Sequence, residues 1–191
     1  MKKLLKRIMA LSLCACMMMG AASPASAAAF ENTSTRAASQ KINISRFDNA
    51  CMNVYGNNTI SNNRNVCIYT NDGTAAQRWE FENIGGQVNY VKSALNTRYA
   101  LNVDRRSGQN WNCTVYELSG NEPDASITVN KHWATGEFYD TAEFTLTNYP
   151  DMLLKADVEA TRYSDTANIH WISMSASTDD DINLFRYHWD I

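Results

Sequence analysis

The sequence predicts an all-β fold in which three similar units close on one another, and three observations predict it. Two different apolar motifs recur along the chain. The first reads Cys51-Met52-Asn53-Val54, then Ala100-Leu101-Asn102-Val103, then Leu153-Leu154-Lys155-Ala156, with starts 49 and 53 residues apart. The second reads Asn65-Val66-Cys67-Ile68-Tyr69, then Asn112-Cys113-Thr114-Val115-Tyr116, then Asn168-Ile169-His170-Trp171-Ile172, with starts 47 and 56 residues apart. Two independent markers thus report one period of about fifty residues, the mark of small units that bury a shared core only when packed together. The third observation is the lack of helical periodicity: short apolar runs are instead separated by Asn, Asp and Gly, so twelve short strands with no helix to cover them must hide their edges by closing into a ring.

The 191 residues open on a segment outside this pattern. Lys2, Lys3, Lys6 and Arg7 form a basic start, Ile8 to Met19 an apolar run, and Ala25-Ser26-Ala27 a small-residue cleavage site, which predicts a bacterial Sec-type signal peptide over 1–27 and a secreted mature protein. A lipoprotein reading, with Cys16 after Leu13-Cys14-Ala15, is disfavoured because the apolar run continues beyond Cys16. No later stretch approaches the about 18 apolar residues of a membrane span. Ala28 to Gln40, rich in Ala, Ser and Thr, reads as a flexible leader, and 41–191 as one domain. Removing the signal takes four of the 17 basic side chains and no acidic one, leaving 13 against 20 and a net charge of −7. With no cluster of Lys and Arg to neutralise phosphates, a nucleic-acid partner is excluded.

In unit one, Ile42 to Phe47, Cys51 to Val54, Val66 to Tyr69 and Trp79 to Phe81 read as four strands. The intervening Asn-Asn, Asn71-Asp72-Gly73 and Gly85-Gly86 pieces supply residues that tolerate positive φ in tight reversals. The recurring Asn65, Asn112 and Asn168 read as turn residues with Asx hydrogen bonds. Cys51, Cys67 and Cys113 remain after signal removal, an odd number that leaves at least one thiol unpaired in a monomer. Cys113 stands where Val66 and Ile169 stand, as a small buried hydrophobe; a Cys51 to Cys67 bridge stays open.

The run from Cys51 to Val54, a polar loop, Val66 to Tyr69 and then Gln77-Arg78-Trp79-Glu80-Phe81 resembles one repeat of the ricin B-type lectin family, whose members are β-trefoils with a Gln-x-Trp signature near the end of each repeat. The resemblance covers Lys41 to Ile191. Repeat one carries the signature as Gln77 and Trp79; repeat three has Asn183-Leu184-Phe185-Arg186-Tyr187 in its place, with Phe185 expected in the core position of Trp79. In repeat two either Ser126-Ile127-Thr128 or Lys131-His132-Trp133 fills the slot.

The resemblance implies sugar binding between the two motifs of a repeat, with an acidic residue accepting bonds from two hydroxyls, an aromatic stacking on the ring and the signature Gln completing the polar set. Carried over, repeat one offers Asn53, Tyr69 and Gln77, with Asn71 nearby, and repeat two offers Asn102 and Tyr116, with Asp104 and Glu117 as further acceptors. Gln77 also has a structural reading, as the hydrogen-bonder that holds its loop. Where the family has Asp, this chain has Asn53, Asn102 and Lys155; an Asn carries one acceptor and cannot take two hydroxyl donors, so binding is expected to be weak. Lys155 and Ile172 predict a sugar-silent third repeat, and Cys67 replaces a polar side chain aimed at the ligand.

No catalytic motif is present, and His132, His170 and His188 lack metal or triad spacing, so a non-catalytic protein without cofactor or metal is expected. Asp179-Asp180-Asp181 lacks the Gly and terminal Glu of a calcium loop. The expected partner is a glycan or glycoconjugate. The alternative is a trefoil that has lost sugar binding and recognises or inhibits a protein through the loop Asn130 to Ala142, with His132, Trp133, Phe138 and Tyr139 as aromatic anchors.

Overall fold

The computed structural model describes residues 38–45, 47–107, 111–120, 122–132, 141–159, 162–174 and 188–191. Runs of Val, Ile, Leu and Cys bounded by Asn and Gly form twelve strands among them, four per repeat. Repeat one holds β1 (Asn43–Ile44), β2 (Ala50–Val54), β3 (Arg64–Thr70) and β4 (Trp79–Gly85). Repeat two holds β5 (Val88–Ser93), β6 (Tyr99–Asp104), β7 (Trp111–Glu117) and β8 (Ile127–His132), and repeat three β9 (Thr141–Leu146), β10 (Tyr149–Ala156), β11 (Ala167–Ser173) and β12 (Trp189–Asp190). β8 and β9 pair from Ile127↔Leu146 to His132↔Thr141, so both ends of the expected Asn130 to Ala142 loop are strand. Trp133, Phe138 and Tyr139 lie outside the described residues, as do the signal segment and Asp179 to Asp181.

Six strands form a barrel wall, in which β4 pairs β5, β5 pairs β8, β8 pairs β9, β9 pairs β12 and β12 pairs β1. The ring closes through Gln40: its N–H donates to the Trp79 carbonyl at 2.8 Å, and the Trp79 N–H donates back to the Gln40 carbonyl at 2.7 Å. Ser39 is held as well, its carbonyl accepting from Arg78 Nη2 at 2.6 Å. The fold therefore begins at least two residues before the expected boundary at Lys41. Closing a sheet edge takes backbone groups, whatever the side chains, so the Ala- and Ser-rich composition of the leader hides this role. The other six strands form hairpins β2–β3, β6–β7 and β10–β11, whose second strands pair one another in a cycle: β3 with β7, β7 with β11 and β11 with β3. A six-stranded barrel capped by three mutually paired hairpins is a β-trefoil, as the repeats predict.

The registers superpose the repeats. Val54↔Val66, Val103↔Cys113 and Ala156↔Ile169 are the same pair in each, which puts Cys113 in the slot of Val66 and Ile169 as expected. Three backbone bonds mark another shared position: Ala94 N–H to Arg78 O at 2.9 Å, Thr147 N–H to Ser126 O at 3.0 Å and Ser45 N–H to His188 O at 2.8 Å. The next residues, Trp79, Ile127 and Trp189, are thus equivalent, and all three are fully buried. Ser126-Ile127-Thr128 fills the slot in repeat two. In repeat three the slot belongs to Trp189, which corrects the assignment to Phe185, itself outside the described residues. Trp79 follows Ile68 by 11 residues and Ile127 follows Val115 by 12, whereas Trp189 follows Trp171 by 18, so the repeat-three connection is longer. The core gathers around these side chains: Trp79 Nε1 donates to Met52 O at 3.1 Å, and Phe144 lies 6.2 Å between ring centroids from both Phe81 and Trp189.

Asn65, Asn112 and Asn168 stand in strands β3, β7 and β11, not in turns. They share one surface depression where the three hairpins meet, and Asn112 Nδ2 donates to Asn65 Oδ1 at 2.8 Å. Their recurrence follows from the pseudo-symmetry, which brings the same position of each repeat to one place.

Cys51, Cys67 and Cys113 are buried free thiols, so Cys51 and Cys67 do not pair. Burial raises the pKa of all three, Cys113 most. We expect none of them to react with a thiol reagent at pH 8 in the native protein and all three to react after denaturation. Rapid native labelling of Cys113 would contradict the repeat-two register.

Candidate functional site

Between the β2–β3 loop and the turn after β3 lies a cleft of about 550 Å³. The loop is preformed by local bonding. Gly56, Asn57 and Asn58 have φ of 103°, 43° and 58°, a left-handed run that Gly and Asn accept with least strain. Thr59 then fixes the turn, its N–H and Oγ1 both donating to Gly56 O at 2.9 Å, while Arg64 Nη2 donates to Thr59 Oγ1 at 3.2 Å. A Cβ on Gly56 would come 3.0 Å from Arg64 Nη1, the mobile end of a long side chain that can give way, so it is the φ of 103° that calls for glycine there.

The floor of the cleft is set by the hairpin register. Cys51 opposes Tyr69 and Asn53 opposes Cys67, so these four side chains share the face opposite Met52 and Val54. Asn53 is 8% exposed; its Nδ2 donates to Val54 O at 3.1 Å and to Cys67 Sγ at 3.8 Å, while its Oδ1 takes no bond among the described residues. Cys67, standing where a polar ligand contact is expected, instead supports the Asn53 amide, and burial raises its pKa. Tyr69 is half-buried and lines the cleft beside Asn53.

The structure gives Gln77 its structural role. It is fully buried, its Oε1 accepts from Asp72 N–H at 2.9 Å and Gly73 N–H at 3.2 Å, and its Nε2 donates to Thr70 O at 2.8 Å. Asn71 is similarly occupied, its Oδ1 accepting from Gly73 N–H at 3.2 Å. Neither lines the cleft. What they brace is Asp72, an exposed carboxylate at the cleft wall whose Oδ1 accepts from Thr74 N–H at 3.0 Å. Asp72, Tyr55, Asn57 and Asn58 are cleft residues that the sequence reading missed, because it singled out Asn71 of the Asn71-Asp72-Gly73 piece and took Asp72 and the Asn-rich loop as turn chemistry.

Repeat three supplies the remaining wall. Thr166 lines the cleft with φ 71°, a conformation that a β-branched residue holds only under constraint. The constraint is visible: Thr166 N–H donates to Ile68 O at 2.8 Å, and Asp165 Oδ1 accepts from Thr70 N–H at 2.7 Å and Thr70 Oγ1 at 2.9 Å. Tyr163 OH adds a bond to Asn49 O at 3.2 Å. Relieving the strain with Thr166→Gly is expected to raise unfolding free energy by up to about 1 kcal/mol, read by urea denaturation, since release of left-handed strain exceeds the added chain entropy. A loss of stability would mean that the Thr166 side chain holds the loop.

Repeat two repeats the geometry with different electrostatics. Asn102 Nδ2 donates to Val103 O at 3.0 Å, as Asn53 does to Val54, and Tyr116 is 38% exposed. Asp104, however, is clamped by Arg106 through Nε at 2.8 Å and Nη2 at 2.7 Å, and this hydrogen bonding holds its carboxyl below the usual carboxylate range. Glu117 pairs with Arg98. Neither is a ready hydroxyl acceptor, a correction to the expected site that adjacent arginines explain. In repeat three Ile172 stands where Tyr69 and Tyr116 stand in the others and packs with Leu153 as a small buried apolar pair, and Lys155 opposes His170. Among the described residues no group of three or more His, Cys, Asp or Glu is placed to hold a metal ion.

No protein-family model and no curated protein matches the sequence. Solved structures do match the fold. A designed threefold-symmetric protein, ThreeFoil, superposes with a TM-score of 0.60 at 19% identity over 78% of this chain and 94% of its own. A ricin B-like lectin from Macrolepiota procera, in complex with lactose, gives 0.57 at 10% identity over 81% of this chain and 94% of its own. A mosquitocidal holotoxin gives 0.63 at 13% identity; there the match spans 80% of this chain but only 17% of the toxin. These likenesses establish a β-trefoil fold.

Proposed function

We propose that the protein is an exported, non-catalytic carbohydrate-binding protein whose principal site is the repeat-one cleft. The observation that carries this reading is the convergence of a free carbonyl oxygen on Asn53, the Tyr69 ring and the Asp72 carboxylate in one preformed cleft. A sugar needs that combination: a flat ring for its C–H face and directional acceptors for its hydroxyls. Asp72 takes over the acceptor role that Asn53 fills only in part, so the clamp is assembled from both motifs of the repeat. Repeat two, with Asn102 and Tyr116, is the secondary site and the weaker one, because its carboxylates are already paired. The lactose complex of the Macrolepiota procera lectin supports the reading through fold alone.

Asp72 is the single charged residue among those described as lining the cleft. That carboxylate, with no cation among the described residues that line the cleft, disfavours anionic sugars. Affinity should be near the millimolar level of roughly −4 kcal/mol per site, since the surface is open and few groups are desolvated. A glycan array followed by calorimetry on the mature protein tests this: neutral glycans should bind, and sialylated versions of the same glycans should bind more weakly. If no glycan is retained, the reading fails, and the aromatic segment from Trp133 to Tyr139 becomes the place to seek a protein partner.

A further inference from the structure

The repeat-one cleft is longer than the sugar site that the two motifs define. Residues 51, 53 and 55 follow one another on the same face of β2 and its continuation, since side chains alternate along a strand. Tyr55 extends the ladder by one residue, its N–H donating to Asn65 O at 2.9 Å. Tyr69 stands opposite Cys51, at one end of this row, and Tyr55 stands at the other, with Asn53 between them. At about 3.3 Å per residue, the strand positions from which the two rings rise are about 13 Å apart. Both line the one cleft of about 550 Å³, which lies within the about 300–1,000 Å³ range of pockets for ligands larger than a single small ring.

Tyr55 is 48% exposed, an uncommon position for an aromatic ring that has no core to serve, and it sits on the rigid Gly56-Asn57-Asn58 turn. Asn57 and Asn58 line the same end of the cleft and bring amide donors and acceptors beside the ring. An aromatic face with adjacent amides repeats, at the far end, the chemistry found at Tyr69 and Asn53. Thr166 adds a fixed wall from repeat three.

Resting on the carbohydrate-binding reading, we infer that the cleft holds a neutral glycan of at least two linked sugar rings, with Tyr55, Asn57 and Asn58 forming a second subsite beside Asn53, Tyr69 and Asp72. The first ring stacks on Tyr69 and gives its hydroxyls to Asn53 and Asp72. The next ring lies along Tyr55, and its hydroxyls meet the two asparagine amides.

The test is a titration of the mature protein, followed by NMR, with methyl β-galactoside and lactose and with methyl β-glucoside and cellobiose. For the pair that binds, the disaccharide should bind at least tenfold more tightly than its monosaccharide. Tyr55→Ala should bring disaccharide affinity down to that of the monosaccharide, whereas Tyr55→Phe should keep the gain. Equal affinity for monosaccharide and disaccharide overturns the second subsite while leaving the lectin reading intact, as does a Tyr55→Ala variant that weakens both ligands equally. If neither pair binds, the second subsite falls, and the lectin reading falls with it if the glycan array also retains nothing.

Discussion

Replacing Trp189 by alanine is expected to lower the free energy of unfolding by about 3–5 kcal/mol, the usual cost of emptying a buried tryptophan site. Such a loss is a large fraction of the roughly 5–15 kcal/mol that holds a typical domain together. The residue is the third from the end of the sequence, where side chains ordinarily contribute little. Here it is fully buried, pairs with both Ile44 of β1 and Ala142 of β9, and packs its ring against Phe144. Its loss would leave a cavity at the seam where the last strand meets the first. Urea denaturation of the variant checks this, and a change below about 1 kcal/mol would show that Trp189 does not occupy the slot shared by Trp79 and Ile127.

Tyr69→Ala should reduce glycan affinity at the repeat-one cleft at least tenfold, which from a millimolar starting point takes that site beyond measurement. The melting temperature should change little, because Tyr69 is half-buried on the outer face of its hairpin and supports no part of the central core. Tyr69→Phe should bind nearly as well as the wild type, since stacking uses the ring and not the hydroxyl. Calorimetry with the best glycan from the array, together with thermal melts of the three proteins, separates these outcomes. A Tyr69→Ala protein that binds normally would move the sugar away from the first-repeat cleft.

The fold was legible because trefoil symmetry writes itself into the chain three times. Val54, Val103 and Ala156 recur because each faces the same core, and Cys113 was placed correctly by analogy with Val66 and Ile169. Trp189 is not legible at the common spacing, because the connection after β11 is longer than its two counterparts. Gln40 was missed because it closes the barrel through its backbone, which leaves no mark on side-chain pattern. At the site, Asn53 and Tyr69 were legible from the motifs, since strands carry them at fixed register. Asp72, Tyr55, Asn57 and Asn58 sit in loops, where the same residue types serve turns and ligands alike. Thr166 comes from another repeat altogether, and only the folded chain brings it to the cleft. The reverse error occurred in repeat two, where Asp104 and Glu117 look available until Arg106 and Arg98 are seen to engage them.

Backbone amide chemical shifts recorded during a titration of the mature protein with lactose, cellobiose or the best neutral glycan from the array test the proposed site most directly. The account predicts saturable shifts that are strongest at Asn53 through Asn58, Tyr69 through Thr74 and Thr166, with weaker ones around Asn102 and Tyr116, and with the amides of Asp72 and Gly73 responding because Gln77 ties both to the cleft wall. Shifts that saturate elsewhere, on the Asn65, Asn112 and Asn168 face or at the β8–β9 hairpin, with the repeat-one cleft unperturbed, would contradict it.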